Sequence, residues 1–326
     1  MNITQNNFTQ NSPKHFIDLS DFNLEILRSI IDNAKKMKQH LKNKDNKVLA
    51  EQAKILSHKI LAMIFEKTST RTRISFESAI KQLGGSSIVM NKSDTQLGKG
   101  ETIEDTAKVI SRMVDAVMIR CYEHKTLLDF AKYATIPVIN GLSNFSHPCQ
   151  IMASIMAIEE RLGDINNLTL AWFGDANNVL NSYIQGAEIF GYNLRIAKPN
   201  KYNFCDEQIA ISIGKGARIK VSENPQEIAD GSNVLITDTW FSMGDGSDEN
   251  EEYKKQKLNL LLPYQINQNL MKLANKDAIF THCLPLYRNY EATAEVADSS
   301  QSIIFEEAEN RLHVQKSILQ YCLAEI

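Results

Sequence analysis

The run Ile60-Leu61-Ala62-Met63-Ile64-Phe65 constrains this chain more than any other stretch, because it is apolar without interruption and of strand length. An unbroken apolar run of this length suits a parallel strand buried on both faces. Directly after it come Ser69-Thr70-Arg71-Thr72-Arg73, and then Phe76, Ala79, Ile80 and Leu83 recur at helical spacing until Gly84-Gly85 supplies a stop. The junction of strand and helix therefore carries hydroxyls and guanidinium groups. Backbone N–H groups at a helix start lack intrahelical partners, and the helix dipole favours an anion there. A serine N-cap with solvated arginines explains part of this pattern. It does not explain two cations beside the positive end of the dipole, which are unfavourable unless an anion joins them. The stretch predicts a phosphate site, with the forked charge of Arg71 suited to phosphate oxygens.

The theme recurs along the chain. Ser86 to Met90 and Asp115 to Ile119 read as strands, the second ending in Arg120, at the strand end where ligands of open α/β sheets bind. Ile136 to Ile139 leads to Asn144-Phe145-Ser146-His147-Pro148-Cys149-Gln150. Proline favours the first helical position, so His147 falls at the N-cap; a structural cap is the commoner role for such a histidine, and its place after a strand adds a functional one. Ile151, Ile155, Ile158 and Leu162 then form a helical stripe, a candidate bridge between domains. Leu168 to Phe173, the turn Gly174 to Asn178, the helix Val179 to Phe190 and Leu194 to Ala197 make a βαβ unit. Its turn has one glycine where a dinucleotide fingerprint needs three, and Gly214-Lys215-Gly216 lacks the hydroxyl residue of a phosphate loop. Val234 to Thr237 delivers Asp238-Thr239-Trp240-Phe241-Ser242-Met243-Gly244, and Ala278 to Thr281 delivers His282-Cys283-Leu284-Pro285.

Flanking these, a first helix is expected to start at Ser20 and to bury Leu24, Leu27, Ile31, Ala34 and Leu41. A last helix is expected to begin beside Arg311, with Leu312, Leu319, Cys322, Leu323 and Ile326 on one face. Ser93 to Glu101, with Gly98 and Gly100 around a lysine, suits a mobile flap, and Asp245 to Glu252 a solvated loop.

At 326 residues the chain is long for one core and predicts two domains. The pattern of strands and helices gives an α/β class with two doubly wound parallel sheets joined by long helices. A net charge of -3 argues against a general nucleic-acid surface. No apolar run approaches the roughly 20 residues of a membrane-spanning helix. Met1 to Lys14 is polar and lacks a signal-peptide core, so a cytoplasmic protein is expected. The five cysteines are widely spaced without a Cys-x-x-Cys pair, which points to neither a disulfide framework nor a structural zinc site.

Five stretches, in this order, resemble the aspartate/ornithine carbamoyltransferase family: Ser69-Thr70-Arg71-Thr72, His147-Pro148-Cys149-Gln150, Asp238 to Gly244, His282-Cys283-Leu284-Pro285 and Asn310-Arg311. The first two belong to transcarbamylases generally; the third and fourth point to ornithine as the acceptor. The resemblance runs from about Phe16 to the C-terminus. It implies a carbamoyl-phosphate domain over 1–150, completed by a C-terminal helix 311–326, and an L-ornithine domain over 151–310. It also implies a homotrimer or a multiple of trimers, in which Gln96 reaches a neighbour's carbamoyl phosphate. No metal and no cofactor are implied. Phosphate binding is assigned by the resemblance to Ser69, Thr70, Arg71 and Thr72, with Arg120 bridging phosphate and carbonyl oxygen. Thr72, Arg120 and His147 would polarise the carbonyl, while Gln150, the backbone of Cys283 and Leu284, and Arg311 would hold the carbamoyl group. Asn178, Asp238, Ser242 and the Met243 backbone would hold ornithine, with Asp238 and Cys283 orienting its δ-amine. Cys283 is expected to position substrate, because carbamoyl phosphate already carries a good leaving group. After Pro285 the chain has Leu286-Tyr287-Arg288-Asn289 where the ornithine enzymes usually show alanine, histidine, arginine and glycine. Transcarbamylases acting on putrescine or N-acylated ornithines, and a noncatalytic paralogue, are the alternatives.

Overall fold

Buried parallel strands need both faces covered, and helices supplied by the crossovers do this. A computed structural model describes residues 13–94, 100–241 and 250–324. Its backbone divides into two units, the first comprising Met1–Ile17, Asp32–Asn144 and Gln315–Ile326, the second Asp18–Ile31 and Phe145–Val314.

In the first unit the strands are β1 (Ile60–Phe65), β2 (Ser86–Asn91), β3 (Ala116–Arg120) and β4 (Val138–Leu142), all parallel in the order β2-β1-β3-β4. The helices in chain order are α1 (Leu24–Lys42), α2 (Asn46–Gln52), α3 (Thr70–Gln82), α4 (Ile103–Ile110) and α5 (His124–Tyr133). Ala62, Ile64, Val117 and Ile119 face a core that includes Leu127, Phe130 and Val138. The fourth strand begins two residues later than the apolar run suggests, because Pro137 has no N–H to give to a ladder. It continues through Gly141, where a Cβ would stand 2.3 Å from the Met118 sulfur, so a larger residue there requires Met118 to move.

The second unit holds α6 (Pro148–Leu162), β5 (Thr169–Phe173), α7 (Asn178–Phe190), β6 (Asn193–Ala197), α8 (Asp206–Gly214), β7 (Ile219–Ser222), α9 (Pro225–Ala229), β8 (Val234–Thr237), α10 (Glu251–Leu261), α11 (Gln268–Leu273), β9 (Ile279–His282), α12 (Ala294–Ala297) and, as far as Val314, α13 (Ile304–Leu323). Its strands are parallel in the order β7-β6-β5-β8-β9. Phe173, Leu235 and Phe280 pack with Ile228, Ile266 and Ile304 in one core.

Three helix expectations are corrected. The first helix starts at Leu24, not Ser20: Leu19–Asp21 is a separate 3-10 turn, and Asn23 Oδ1 caps α1 by accepting from Ile26 N–H at 2.9 Å. Leu27, Ile31 and Ala34 are buried with Ile30 and Met37, whereas Leu24 and Leu41 are 45% and 38% exposed. The long stripe of α6 lies wholly in the second unit and is buried from Pro148 to Glu159, so its all-round apolar character marks a core helix. The helices whose residues divide between units are α1 and α13. The last helix begins seven residues earlier than Arg311. Its early turns bury Glu307, Asn310 and Arg311, so apolar periodicity does not reveal them.

Candidate functional site

Each sheet reverses its strand order once, and crevices for ligands open beyond the C-terminal strand ends at such a reversal. In the first unit the reversal lies between β1 and β3. Register places Phe65 opposite Arg120, so the end of β1 and the end of β3 deliver their residues side by side. Glu66 N–H donates to the Arg120 carbonyl at 2.9 Å, which carries the pairing one residue beyond the strand. Ser69 is the N-cap of α3: its Oγ accepts from Thr72 N–H at 3.3 Å and donates to Thr72 Oγ1 at 3.0 Å. Arg120 Nη1 donates to the same Thr72 Oγ1 at 3.5 Å. Ser69, Thr72 and Arg120 thus converge at one helix start, with Thr70 exposed and Arg71 half-buried beside them.

The two arginines of this turn separate. Arg73 Nε donates to Glu77 at 2.8 Å across one helical turn, which lowers the Glu77 pKa and answers the Arg73 charge locally. Among the described residues Arg71 makes no ion pair, so its charge remains at the positive end of α3. Gln96 lies outside the described residues.

In the second unit the reversal lies between β5 and β8, and β9 follows β8. Asp238 leaves the end of β8 and its carboxylate is held on both oxygens. Cys283 Sγ–H donates to Oδ1 at 2.9 Å, and Asn177 Nδ2 donates to Oδ2 at 2.8 Å. The Asn177 oxygen caps α7 by accepting from Val179 and Leu180 N–H at 3.0 and 3.1 Å. Asn177 therefore joins a helix start to the acid, while its neighbour Asn178 is the first helical residue and half-buried. The turn itself is braced by Trp172 Nε1, which donates to the Asp175 carbonyl at 2.9 Å. Its single glycine serves packing: a Cβ on Gly174, at φ 105°, would lie 2.6 Å from Trp240 Nε1. Asp175 pairs with the buried Lys257 at 2.9 Å; burial raises the Asp175 pKa, and the Asp238 charge adds to it.

The Cys283 thiol is pushed well above its ordinary pKa, first by burial of the sulfur and then by the Asp238 carboxylate. It is a donor here and not a thiolate. His282 Nδ1 accepts from Leu284 N–H at 2.8 Å, and its Nε2 faces Glu291 Oε1 at 3.4 Å, with both side chains fully buried. Glu291 also accepts from Tyr287 N–H at 2.7 Å. These bonds hold Leu284 at φ 60°, a left-handed conformation that leucine rarely adopts, with its N–H already used. Asp238, His282 and Cys283 bring one ligand-type atom each within 4.8 Å of one another. In the present arrangement the His282 lone pair and the Cys283 proton are committed to Leu284 and Asp238.

The residues after Pro285 have local work. Arg288 forms a two-pronged pair with Asp298, at 2.6 and 3.0 Å. Asn289 sits at φ 70°, where glycine fits best and asparagine next.

His147 occupies the N-cap of α6 with Pro148 behind it; its side chain makes no cap bond, and its N–H donates to Ser182 Oγ at 2.8 Å. Gln150 is buried in the first turn, with its amide nitrogen 2.5 Å from Glu307. Arg311 is buried on α13 one turn beyond Glu307. Ser242 and Met243 lie outside the described residues. Sequence reasoning missed Asn177, Lys257, Glu291 and Glu307. For Asn177 the signal was present, since asparagine before a helical stripe is a cap candidate; a lone carboxylate such as Glu307 in a helix offers none.

Comparison with known proteins accords with this geometry. The family model for the aspartate/ornithine carbamoyltransferase carbamoyl-P binding domain matches residues 14–160, and that for the Asp/Orn binding domain matches residues 166–322. Ornithine carbamoyltransferase of Rhodopseudomonas palustris (strain BisA53) is 48% identical over 317 residues, covering 97% of this chain and 99% of the relative. That of Agrobacterium fabrum is 46% identical over 315 residues, covering 97% and 99%. Among solved structures, ornithine carbamoyltransferase from Pyrococcus furiosus superposes with a TM-score of 0.85 at 39% identity, over 98% of this chain and 100% of that one. The anabolic ornithine carbamoyltransferase from Campylobacter jejuni gives 0.82 at 41% identity, over 95% and 98%.

Proposed function

Because the chain belongs to the aspartate/ornithine carbamoyltransferase family, we propose that it is an ornithine carbamoyltransferase, moving the carbamoyl group of carbamoyl phosphate to the δ-amine of L-ornithine and releasing phosphate and L-citrulline. The observation that carries this reading is the first turn of α3, where Ser69, Thr72 and Arg120 converge and Arg71 has no ion pair among the described residues. A phosphoryl group meets every one of those demands.

In the first unit Ser69, Thr70, Arg71 and Thr72 bind the phosphate, and Arg120 and Thr72 also meet the carbonyl oxygen as it gains charge. His147 adds to that polarisation, and Gln150, Arg311 and the backbone of Cys283 and Leu284 hold the carbamoyl group. Asn178, Asp238, Ser242 and the Met243 backbone bind ornithine. The δ-amine has a pKa near ~10 in water and attacks only when neutral, so the site must favour its deprotonated form, and Asp238 and Cys283 orient it. Cys283 acts as a protonated thiol, in keeping with its raised pKa.

The carbamoyl-phosphate domain is 1–150 completed by 311–326, and the ornithine domain is 151–310. Among the described residues no helix is long and apolar enough to cross a membrane. The enzyme works in the cytoplasm, in arginine biosynthesis, as a homotrimer or a multiple of trimers, with Gln96 serving a neighbour. Purified protein given carbamoyl phosphate with ornithine, putrescine or an N-acylated ornithine tests the reading through carbamoylated product. Ornithine is expected to exceed putrescine in kcat/KM by about a hundredfold or more, because putrescine lacks the carboxylate and leaves buried donors unpaired, and to exceed an N-acylated ornithine, whose acylation removes the charge that Asp238 recognises and adds bulk beside it. Equal rates with a rival refute the acceptor, and absence of citrulline refutes the activity.

A further inference from the structure

Glu307 is a fully buried carboxylate outside every motif of the sequence, and it gathers donors from α6 and β9. Gln150 Nε2 donates to its Oε1 at 2.5 Å and Ser154 Oγ donates to the same oxygen at 2.9 Å. The Thr281 hydroxyl donates to Oε2. Burial raises the Glu307 pKa, and these three donors oppose the rise. An ionised carboxylate only accepts, whereas a glutamine amide has one donating end and one accepting end. Glu307 therefore holds the Gln150 amide one way round. One N–H of the amide is spent on Glu307, and the carbonyl Oε1 is left buried with no hydrogen-bond partner among the described residues. A buried acceptor left in that state is costly, and an N–H brought by a ligand would satisfy it.

We infer that Glu307 is a positioning residue: it fixes the Gln150 amide so that Oε1 accepts from the carbamoyl NH2 and selects a carbamoyl phosphate over an acyl phosphate of the same shape. This rests on the carbamoyl-phosphate reading above. Acetyl phosphate carries a methyl where carbamoyl phosphate carries NH2, so it fits the same space but offers Oε1 nothing. With the amide reversed, donor would meet donor, and the preference for the carbamoyl group would vanish.

The test is calorimetric titration of both ligands, without acceptor, into the unmodified protein and into Glu307→Met and Glu307→Gln. Methionine matches glutamate in length but cannot accept from Gln150; glutamine keeps an oxygen that can. The unmodified protein is expected to bind carbamoyl phosphate roughly ten- to a hundredfold more tightly than acetyl phosphate. In Glu307→Met that ratio falls close to one through lost carbamoyl phosphate affinity, with acetyl phosphate unchanged, and Glu307→Gln restores most of it. A ratio preserved in Glu307→Met overturns the inference, as does equal weakening of both ligands, which would mean that Glu307 only holds the fold. If the methionine variant does not fold, the unmodified protein answers instead. Its Gln150 side-chain amide protons, read by NMR with labelled glutamine, are expected to resist exchange before ligand is added, and rapid exchange overturns the inference. Failure of carbamoyl phosphate to bind the unmodified protein would sink the proposed reaction as well, which sets that outcome apart.

Discussion

Asn177 makes two kinds of contact at once, and substitution can separate them. Its oxygen caps α7 through two backbone N–H groups, and its nitrogen donates to the Asp238 carboxylate at 2.8 Å. Serine caps a helix about as well as asparagine but has no second group to reach Asp238, whereas alanine does neither. Loss of a cap costs about 1 kcal/mol. Loss of a hydrogen bond to a charged group costs about 1.5 to 3 kcal/mol. If Asp238 must be held to orient ornithine, Asn177→Ser lowers kcat/KM for ornithine by roughly 10- to 150-fold, the kinetic equivalent of that range. Its thermal midpoint then stays close to that of the unmodified protein, apart from whatever the Asp238 contact itself contributes. Asn177→Ala shows the same kinetic loss and melts a further ~2–4 °C lower, the shift expected for 1 kcal/mol in a domain of this size. The measurements are citrulline formation at varied ornithine with saturating carbamoyl phosphate, and scanning calorimetry. Full activity in Asn177→Ser, or equal midpoints for the serine and alanine variants, would refute the division of roles.

Other outcomes follow from the same contacts. Arg71→Ala is expected to weaken carbamoyl-phosphate binding by about 2 to 3 kcal/mol in calorimetry with circular dichroism unchanged, while Arg73→Ala, whose exposed pair with Glu77 is worth about 0.2 to 0.5 kcal/mol, leaves affinity nearly intact. A raised thiol pKa means less thiolate at any given pH, so Cys283 in the native protein should react with iodoacetamide far more slowly at pH 8 than after unfolding, as mass spectrometry of its peptide would read. Lys316 is 1% exposed, and burial lowers its pKa to about 8. The unfolded chain binds the extra proton between there and about 10.4, so stability should rise with pH across that window. Lys316→Met should therefore gain on the order of 2 kcal/mol at pH 7 in urea unfolding, with the gain fading toward pH 10.

The elements legible from the sequence were those whose burial is written in apolar residues. β1, β3, β5, β8 and β9 stood out as apolar runs, and the residues at their ends fell where the two sheets reverse order. Arg120 beside the start of α3, and Cys283 beside Asp238, needed only that topology to be brought together. What stayed hidden was burial written in polar residues. The first turns of α13 are interior through Glu307, Asn310 and Arg311, which read as surface when hydropathy is the only guide. Asn177 was passed over for Asn178 because two adjacent asparagines look alike until the cap bond chooses one. The start of α1 was misplaced because Ser20 and Asn23 are both sound caps, and the 3-10 turn at Leu19–Asp21 takes the first.

The order β7-β6-β5-β8-β9 has a consequence for descent. Asp238 directly follows β8, and Cys283-Leu284-Pro285 directly follow β9, whose last residue His282 pairs with Thr237. Those segments can lengthen, shorten or exchange residues while the strands beneath them keep their pairing. Asn289, at a φ of 70° that glycine and asparagine adopt most readily, lies on the segment that follows Pro285. Substitutions in these segments are where an amino-acid preference can change while the pairing of the strands stays as it is.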